Sequence, residues 1–174
     1  KHAKGRKKQI MYSAFQRHDV ETAPEKSKPL LRQLLEHSGP NGFYAVTAES
    51  PETLTAYAAL HKAFMASSFT NEEKTVVWQS INVENQCHFC VPAHTYMAKA
   101  MKIDKPVSNA LRDETALPTK RLEALRDFTL LLLRNHGHAS DVEISKFLSA
   151  GFTHQNMLEV VLKKKKKTIS NYVN

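Results

Sequence analysis

The sequence predicts an all-α protein, folded as a single-domain helical bundle of about six to eight helices. Only five glycines occur among the 174 residues, apolar side chains recur at helical spacing along most of the chain, and the alternation typical of strands is hard to find. A chain of this length can bury about two-thirds of its unfolded surface. We therefore expect it to be stable without a structural disulfide.

Start and stop signals place the first three helices. A leucine-rich segment after residue 30 forms the first, and the sequence Gly-Pro-Asn-Gly at residues 39–42 ends it. Ser50 before Pro51 starts the second helix, with proline in its first turn. Thr70 followed by Glu73 has the capping-box pattern and starts the third.

Four further helices are expected in the second half of the chain. The first runs over about residues 87–101 and ends near Pro106, because the residue before a proline is pushed out of the helical region. The other three are predicted from Pro118 to Gly137, from the capping box at Ser140 to Gly151, and from the cap Thr153 onward.

Two segments are distinguished by their periodicity. Residues 1–29 carry charge and two prolines but little periodicity, and we expect them to form an extended basic N-terminal arm. Residues 30–174 form the predicted helical domain. No internal repeat or linker divides this domain.

The net charge of +8 is concentrated in two blocks. Ten of the 25 basic residues lie near the N-terminus or in a run of five lysines at 163–167, and the remaining 15 are outnumbered by 17 acidic residues. Nucleic-acid binders usually spread their basic residues over a face. The pattern therefore argues against a nucleic-acid partner.

The lysine run interrupts the apolar stripe of the last predicted helix. It places Lys165 or a neighbour on the side that should be buried, and only some of the five side chains could extend to solvent. A solvated helix face is one interpretation. An anion or partner site, and a departure of these residues from the natural ones, are the alternatives.

No apolar run approaches the roughly 20 residues that span a bilayer, and no signal peptide is recognised. The chain has two cysteines, which is few for a secreted protein of this size. We therefore expect a cytoplasmic protein without a membrane partner.

Those two cysteines carry the strongest chemical signal. Cys87, Cys90 and His94 form a Cys-x-x-Cys-x-x-x-His motif, and Glu84 lies three residues before it. A cysteine reacts as the thiolate, which a helix start and a nearby imidazole both favour. His94 is expected to pair with the Cys90 thiolate or relay its proton, and Glu84 could orient His94.

These four groups would suffice for a peroxide-reducing cycle. One sulfur is oxidised to a sulfenic acid, the second condenses with it to a disulfide, and an external dithiol restores the pair. The close spacing makes the second step intramolecular.

Other uses of the motif are less well supported. Zinc could take the same residues, but no second ligand pair follows at the usual spacing. Covalent haem needs a histidine directly after the second cysteine, where Val91 stands, and a thioredoxin fold needs strands. Two buried cysteines with a core histidine would be the purely structural alternative.

The segment resembles the alkylhydroperoxidase D-like, carboxymuconolactone decarboxylase superfamily, in its peroxidase-related branch. The matches are the motif with Glu84, the capping box at Thr70, the Phe-Tyr-Ala-Val and Ala-Glu-Ser-Pro stretches at residues 43–46 and 48–51, and the end of the chain from Lys167 to Tyr172. The resemblance covers about residues 10–174. It implies an all-helical fold that assembles into dimers or hexamers.

The resemblance also implies an order of action. Cys90 would attack the hydroperoxide, Cys87 would resolve the intermediate, His94 would relay the proton and Glu84 would be its acidic partner. Thr75 stands where the better-studied hydroperoxidases have an acid, so Glu84 takes this role. The cysteine pair argues against lactone decarboxylation.

The predicted protein is thus an antioxidant peroxidase with peroxiredoxin-type activity. It would need no metal or other cofactor and would use an external dithiol or protein reductant. A thiol-disulfide exchange or redox-sensing module without peroxidase turnover is the alternative.

Overall fold

A computed structural model describes residues 14–173, and these residues form nine α-helices and no strand. The prediction of an all-α fold is confirmed. The predicted basic arm is only partly covered, since Lys1, Lys4, Arg6, Lys7 and Lys8 lie outside the described residues. The helices are α1 (Lys28–Ser38), α2 (Gly42–Thr47), α3 (Pro51–Met65), α4 (Asn71–Glu84), α5 (Cys90–Ala100), α6 (Lys105–Asp113), α7 (Lys120–Arg134), α8 (Asp141–Ser149) and α9 (His154–Val173).

Two of these helices were not predicted. Helix α2 has six residues, too few to show a helical period, and it begins where Asn41 accepts a hydrogen bond from the Phe43 amide at 3.0 Å. Helix α6 has Pro106 in its first turn. This proline follows the end of α5, as expected, and also favours the start of the next helix.

The predicted caps of four helices are confirmed. Thr70 and Ser140 each accept a hydrogen bond from the backbone N–H three residues later, and Glu73 and Glu143 bond back to them, which completes two capping boxes. Ser50 accepts from the Thr53 amide at 3.2 Å. Thr153 accepts from the Asn156 amide, also at 3.2 Å.

The described residues fall into two compact units. The first comprises residues 14–58 and 172–173, with a small core in which Leu31, Ala48 and Leu54 are fully buried. Ala23 and Ser27, within the predicted arm, are also buried, and the Ser27 hydroxyl donates to the Ala48 carbonyl at 2.7 Å. The arm boundary after residue 29 stays a prediction.

The second unit comprises residues 59–171 and contains the larger core. Helix α4 lies at its centre and packs against α5, α6 and α7. Ten of its 14 residues are buried, including Trp78, Gln79 and Asn82. A helix enclosed on most sides brings its polar side chains against its neighbours, and these polar residues lie beside the cysteine motif.

Within residues 14–173, no helix has the length and apolar character required to cross a membrane.

Candidate redox-active site

Cys87 and Cys90 form a disulfide whose Cα atoms are 5.2 Å apart. Helix α5 begins at Cys90 and not at Cys87, which lies in the preceding turn. The Cys90 amide donates to the Cys87 sulfur at 3.2 Å. This sulfur thus accepts from one of the N–H groups at the helix start that have no partner within the helix. Cys87 therefore precedes the helix and Cys90 begins it, whereas the prediction placed both cysteines in its first turn.

The surroundings of the two sulfurs also differ. Cys87 lines a cavity of about 330 Å³ together with Gln86, His88 and Arg112, whereas Cys90 is absent from its lining. The Cys90 sulfur instead accepts a hydrogen bond from the side-chain amide of Asn171 at 3.1 Å. Cys87 is therefore the cysteine beside the cavity, although both cysteines are largely buried, at 6% and 3% exposure.

A chain of amide side chains extends behind Cys90. Gln79 donates to the Val91 carbonyl at 3.0 Å and accepts from Asn82 at 3.0 Å, and Asn82 in turn accepts from Asn171 at 3.2 Å. Gln79 and Asn82 are buried. Buried amides need such partners, and here they join α4, α5 and α9 around the disulfide.

His94 lies one helical turn after Cys90, as the spacing predicts. Its Nδ1 is 3.0 Å from the Cys90 carbonyl oxygen, and its Nε2 is 2.9 Å from the Lys167 Nζ. Since a carbonyl only accepts and a lysine amine donates, Nδ1 carries the proton and Nε2 accepts. Burial, followed by the charges of Lys167, Lys163 and Lys166, holds the pKa of His94 well below its usual range.

Three of the five consecutive lysines are buried, so a solvated face is the wrong interpretation for them. Lys163 and Lys167 are fully buried and Lys166 is nearly so, while Lys165 is exposed. The Lys163 Nζ lies 4.3 Å from the centre of the Phe64 ring and 4.7 Å from that of Trp78. Burial lowers the pKa of all three, that of Lys166 to about 7.

Glu84 lies at the end of α4 and pairs with Arg134. Its two carboxylate oxygens accept from the Arg134 guanidinium at 2.8 and 2.7 Å, and these hydrogen bonds lower its pKa. Within residues 14–173 no hydrogen bond joins Glu84 to His94. The structure therefore brings Cys87, Cys90 and His94 together and places Glu84 in a separate ion pair.

The described part of the chain offers no cluster of three or more histidine, cysteine or acidic side chains arranged to hold a metal ion. The polar side chains at the disulfide include the amide of Asn171, and His88 and Arg112 line the cavity beside Cys87.

Sequence reasoning missed four of these residues: Gln79, Asn82, Lys167 and Asn171. Each belongs to a helix other than that of the cysteines. One signal was available, because Lys163, Lys167 and Asn171 recur at a spacing of four and so share one face of the last helix. A polar stripe on a helix that is otherwise apolar indicates buried polar contacts.

No protein-family model matches the sequence, and neither does any curated protein. Solved structures do. The crystal structure of an alkylhydroperoxidase AhpD core, an uncharacterized peroxidase-related protein from Ralstonia eutropha JMP134, has a TM-score of 0.76 at 19% identity, and the match covers 88% of this chain and 84% of that one. An uncharacterized peroxidase-related protein from Silicibacter sp. TM1040 has a TM-score of 0.73 at 20% identity, and the match covers 87% of this chain and 82% of that one.

At these identities the likeness concerns the fold. Both comparisons extend over most of either chain, and both concern proteins of the peroxidase-related type that the cysteine segment resembles. The predicted resemblance is confirmed at this level: the chain has the helical fold of the alkylhydroperoxidase AhpD core.

Proposed function

We propose that the protein is a cysteine-based hydroperoxide reductase that cycles through the Cys87–Cys90 disulfide. The observation that carries this proposal is the disulfide itself, placed at the start of α5 with His94 one turn later. The two peroxidase-related structures with the same fold support it.

In the proposed cycle the reduced Cys90 thiolate attacks the hydroperoxide. Its sulfur takes the terminal oxygen to become a sulfenic acid, and the alkoxide takes a proton and leaves as the alcohol. The Cys87 thiol then attacks the sulfenic sulfur, which forms the disulfide and releases water. An external dithiol reduces this disulfide and is itself oxidised to its own disulfide.

His94 would carry the proton between these steps. Both of its ring nitrogens are occupied in the disulfide form, Nδ1 by the Cys90 carbonyl and Nε2 by Lys167. Proton transfer at the sulfur therefore requires His94 to exchange one of these contacts after reduction. The lowered pKa of His94 keeps the imidazole neutral at neutral pH, so that His94 would hold a proton only briefly while passing it on.

A stopped-flow experiment tests the proposal. The reduced protein should consume one equivalent of hydroperoxide and lose two thiols. Cys90→Ser should abolish this reaction, because it removes the attacking sulfur. Cys87→Ser is the matched variant, and it should still consume one equivalent but stop at a sulfenic acid that dimedone traps. Full peroxide consumption by Cys90→Ser would contradict the assigned order.

The second candidate is a thiol-disulfide exchange or redox-sensing module without peroxidase turnover. The cavity at Cys87 favours this candidate specifically, since it gives a partner thiol access to the disulfide. In that case an added dithiol would reduce the Cys87–Cys90 disulfide, and the stopped-flow experiment would detect no loss of peroxide.

We expect the protein to be reduced by an external dithiol in a reducing, cytoplasmic compartment. We also expect the chain to assemble into a dimer or hexamer. Light scattering on the purified protein tests the assembly.

A further inference from the structure

Helix α9 carries three polar side chains along one face, and one of them reaches the disulfide. Lys163 lies against the rings of Phe64 and Trp78, Lys167 bonds to His94, and Asn171 donates to the Cys90 sulfur. Their spacing of four residues is that of one helical stripe. Asn171 is the member that touches a reacting atom.

Hydrogen bonding fixes the orientation of the Asn171 amide. Gln79 must direct its NH₂ group at the Val91 carbonyl, and its oxygen then accepts from Asn82. The remaining Asn82 oxygen faces the Asn171 Nδ2, at 3.2 Å. Asn171 is therefore held with its NH₂ group toward Cys90, and its oxygen accepts from Asn85 at 2.9 Å.

We propose that Asn171 is a catalytic residue of this site, whose amide N–H stabilises Cys90 as the thiolate and so makes Cys90 the leaving sulfur when the disulfide is reduced. The proposal rests on the proposed function only in taking the pair to be redox-active. It adds a residue from the last helix, 81 positions away in sequence, to the cysteine motif.

Reduction then has a defined direction. A thiolate of the external dithiol attacks Cys87, which lines the cavity, and forms a mixed disulfide with its sulfur. The Cys87–Cys90 bond breaks, and its electron pair remains on the Cys90 sulfur, where Asn171 donates a hydrogen bond. The second thiol of the reductant gives up its proton and attacks the reductant's sulfur in the mixed disulfide, which forms the reductant's own disulfide. Cys87 leaves with the electron pair of the mixed-disulfide bond and is protonated.

A hydrogen bond to a charged sulfur should have a measurable effect. Hydrogen bonds to ionised groups stabilise them more than those to neutral groups, and a lower pKa of the leaving thiol speeds disulfide cleavage. Removing the donor should raise the pKa of the Cys90 thiol by about one unit or more. One pKa unit corresponds to a tenfold change in the equilibrium between thiolate and disulfide, or about 30 mV in the reduction potential of a two-electron couple.

The test uses Asn171→Leu and Asn171→Asp in the Cys87→Ser background, where Cys90 is the single thiol. Leucine has a similar size and no donor, and aspartate keeps the acceptor that Asn85 uses. We expect the pH profile of iodoacetamide alkylation to shift upward by about one unit for leucine and further for aspartate, because aspartate adds a negative charge. In the two-cysteine protein, reduction by dithiothreitol should slow roughly threefold, since the rate follows only part of the change in the pKa of the leaving thiol.

Thr168→Val is the matched control. Thr168 lies one turn before Asn171 on α9 and donates only to the Lys164 carbonyl of its own helix, at 2.9 Å. This variant should leave both the alkylation profile and the reduction rate unchanged. Circular dichroism and thermal melting verify that each variant is folded, and if Asn171→Leu fails to fold, Asn171→Ala, which also lacks the donor and adds no charge, decides the result.

The outcomes separate this inference from the proposed function. Folded Asn171 variants with the wild-type alkylation profile would overturn the role of Asn171, whether or not the protein reduces peroxides. A shifted profile in a protein that consumes no hydroperoxide would leave Asn171 in its role and remove the peroxidase function.

Discussion

At the scale of single residues, the site differs from its prediction in the partner of each polar group. The spacing correctly placed His94 one turn from Cys90, but its imidazole contacts a carbonyl and a lysine in the disulfide form. The sulfur of Cys90 is contacted by an asparagine instead. The spacing of Lys167 and Asn171 on α9 indicates a shared polar face, but their contacts with His94 and Cys90 could not be predicted, because the packing of α9 against α5 has no local signal.

Glu84 provides a prediction at this scale. We expect Glu84→Gln and Arg134→Gln to lower the free energy of unfolding equally, by at most about 1 kcal/mol, because each removes the same partly exposed ion pair. Urea unfolding measures this loss. Both variants should keep the wild-type rate of peroxide consumption.

The matched pair distinguishes an ion pair from a catalytic acid. If Glu84→Gln lost peroxide consumption while Arg134→Gln kept it, Glu84 would be the acidic partner of His94, and the contact with Arg134 would belong to the disulfide form alone.

At the scale of elements, helix starts were predictable where side chains mark them. Thr70, Ser140 and Thr153 each cap a helix through a bond between residues three apart, which is information the local sequence contains. Helix α2 is too short to show a helical period. Pro106 indicates both the end of α5 and the start of α6, and only the end of α5 was inferred from it. Contacts between helices, such as that of Asn171 with Cys90, depend on packing.

The capping box of α4 supports a prediction about that element. Thr70→Ala should lower the free energy of unfolding by roughly 1–2 kcal/mol, because it leaves the partly buried Glu73 amide without its acceptor. Ser140→Ala removes the corresponding exposed bond at the start of α8, where water can replace it, and should cost about 0.5 kcal/mol. Urea unfolding of both variants measures the difference, and equal losses would contradict this account.

At the scale of the whole molecule, several titratable side chains lie in the interior of the second unit, where charged groups are rarely buried. The second unit buries the amines of Lys163, Lys166 and Lys167 beside the partly buried imidazole of His94, and burial lowers the pKa of all four. A buried amine is costly when charged. The folded protein therefore binds fewer protons at these positions than the unfolded chain does.

This difference predicts an alkaline optimum of stability. Between the lowered pKa of each buried lysine and the ordinary value of 10.5, the unfolded state binds more protons, so stability rises with pH. For Lys166 this window extends from about 7 to 10.5, and one such group contributes up to about 1.4 kcal/mol per pH unit. His94 adds to the rise below 6.5. The pKa of Tyr44, which burial raises to about 12, opposes this rise above pH 10 and reverses it above 10.5, once the lysines of the unfolded chain have lost their protons.

Denaturant unfolding between pH 6 and 11 measures this profile, and we expect stability to increase from pH 7 to about 10. The double variant Lys163→Leu, Lys166→Leu should be more stable at pH 7 and show a smaller slope, because two buried amines no longer have to lose their protons. Lys165→Gln is the control, since it removes an exposed charge from the same run and should keep the wild-type slope. A flat profile from pH 7 to 10, or an unchanged slope in the double variant, would show that these amines are solvated in the folded protein.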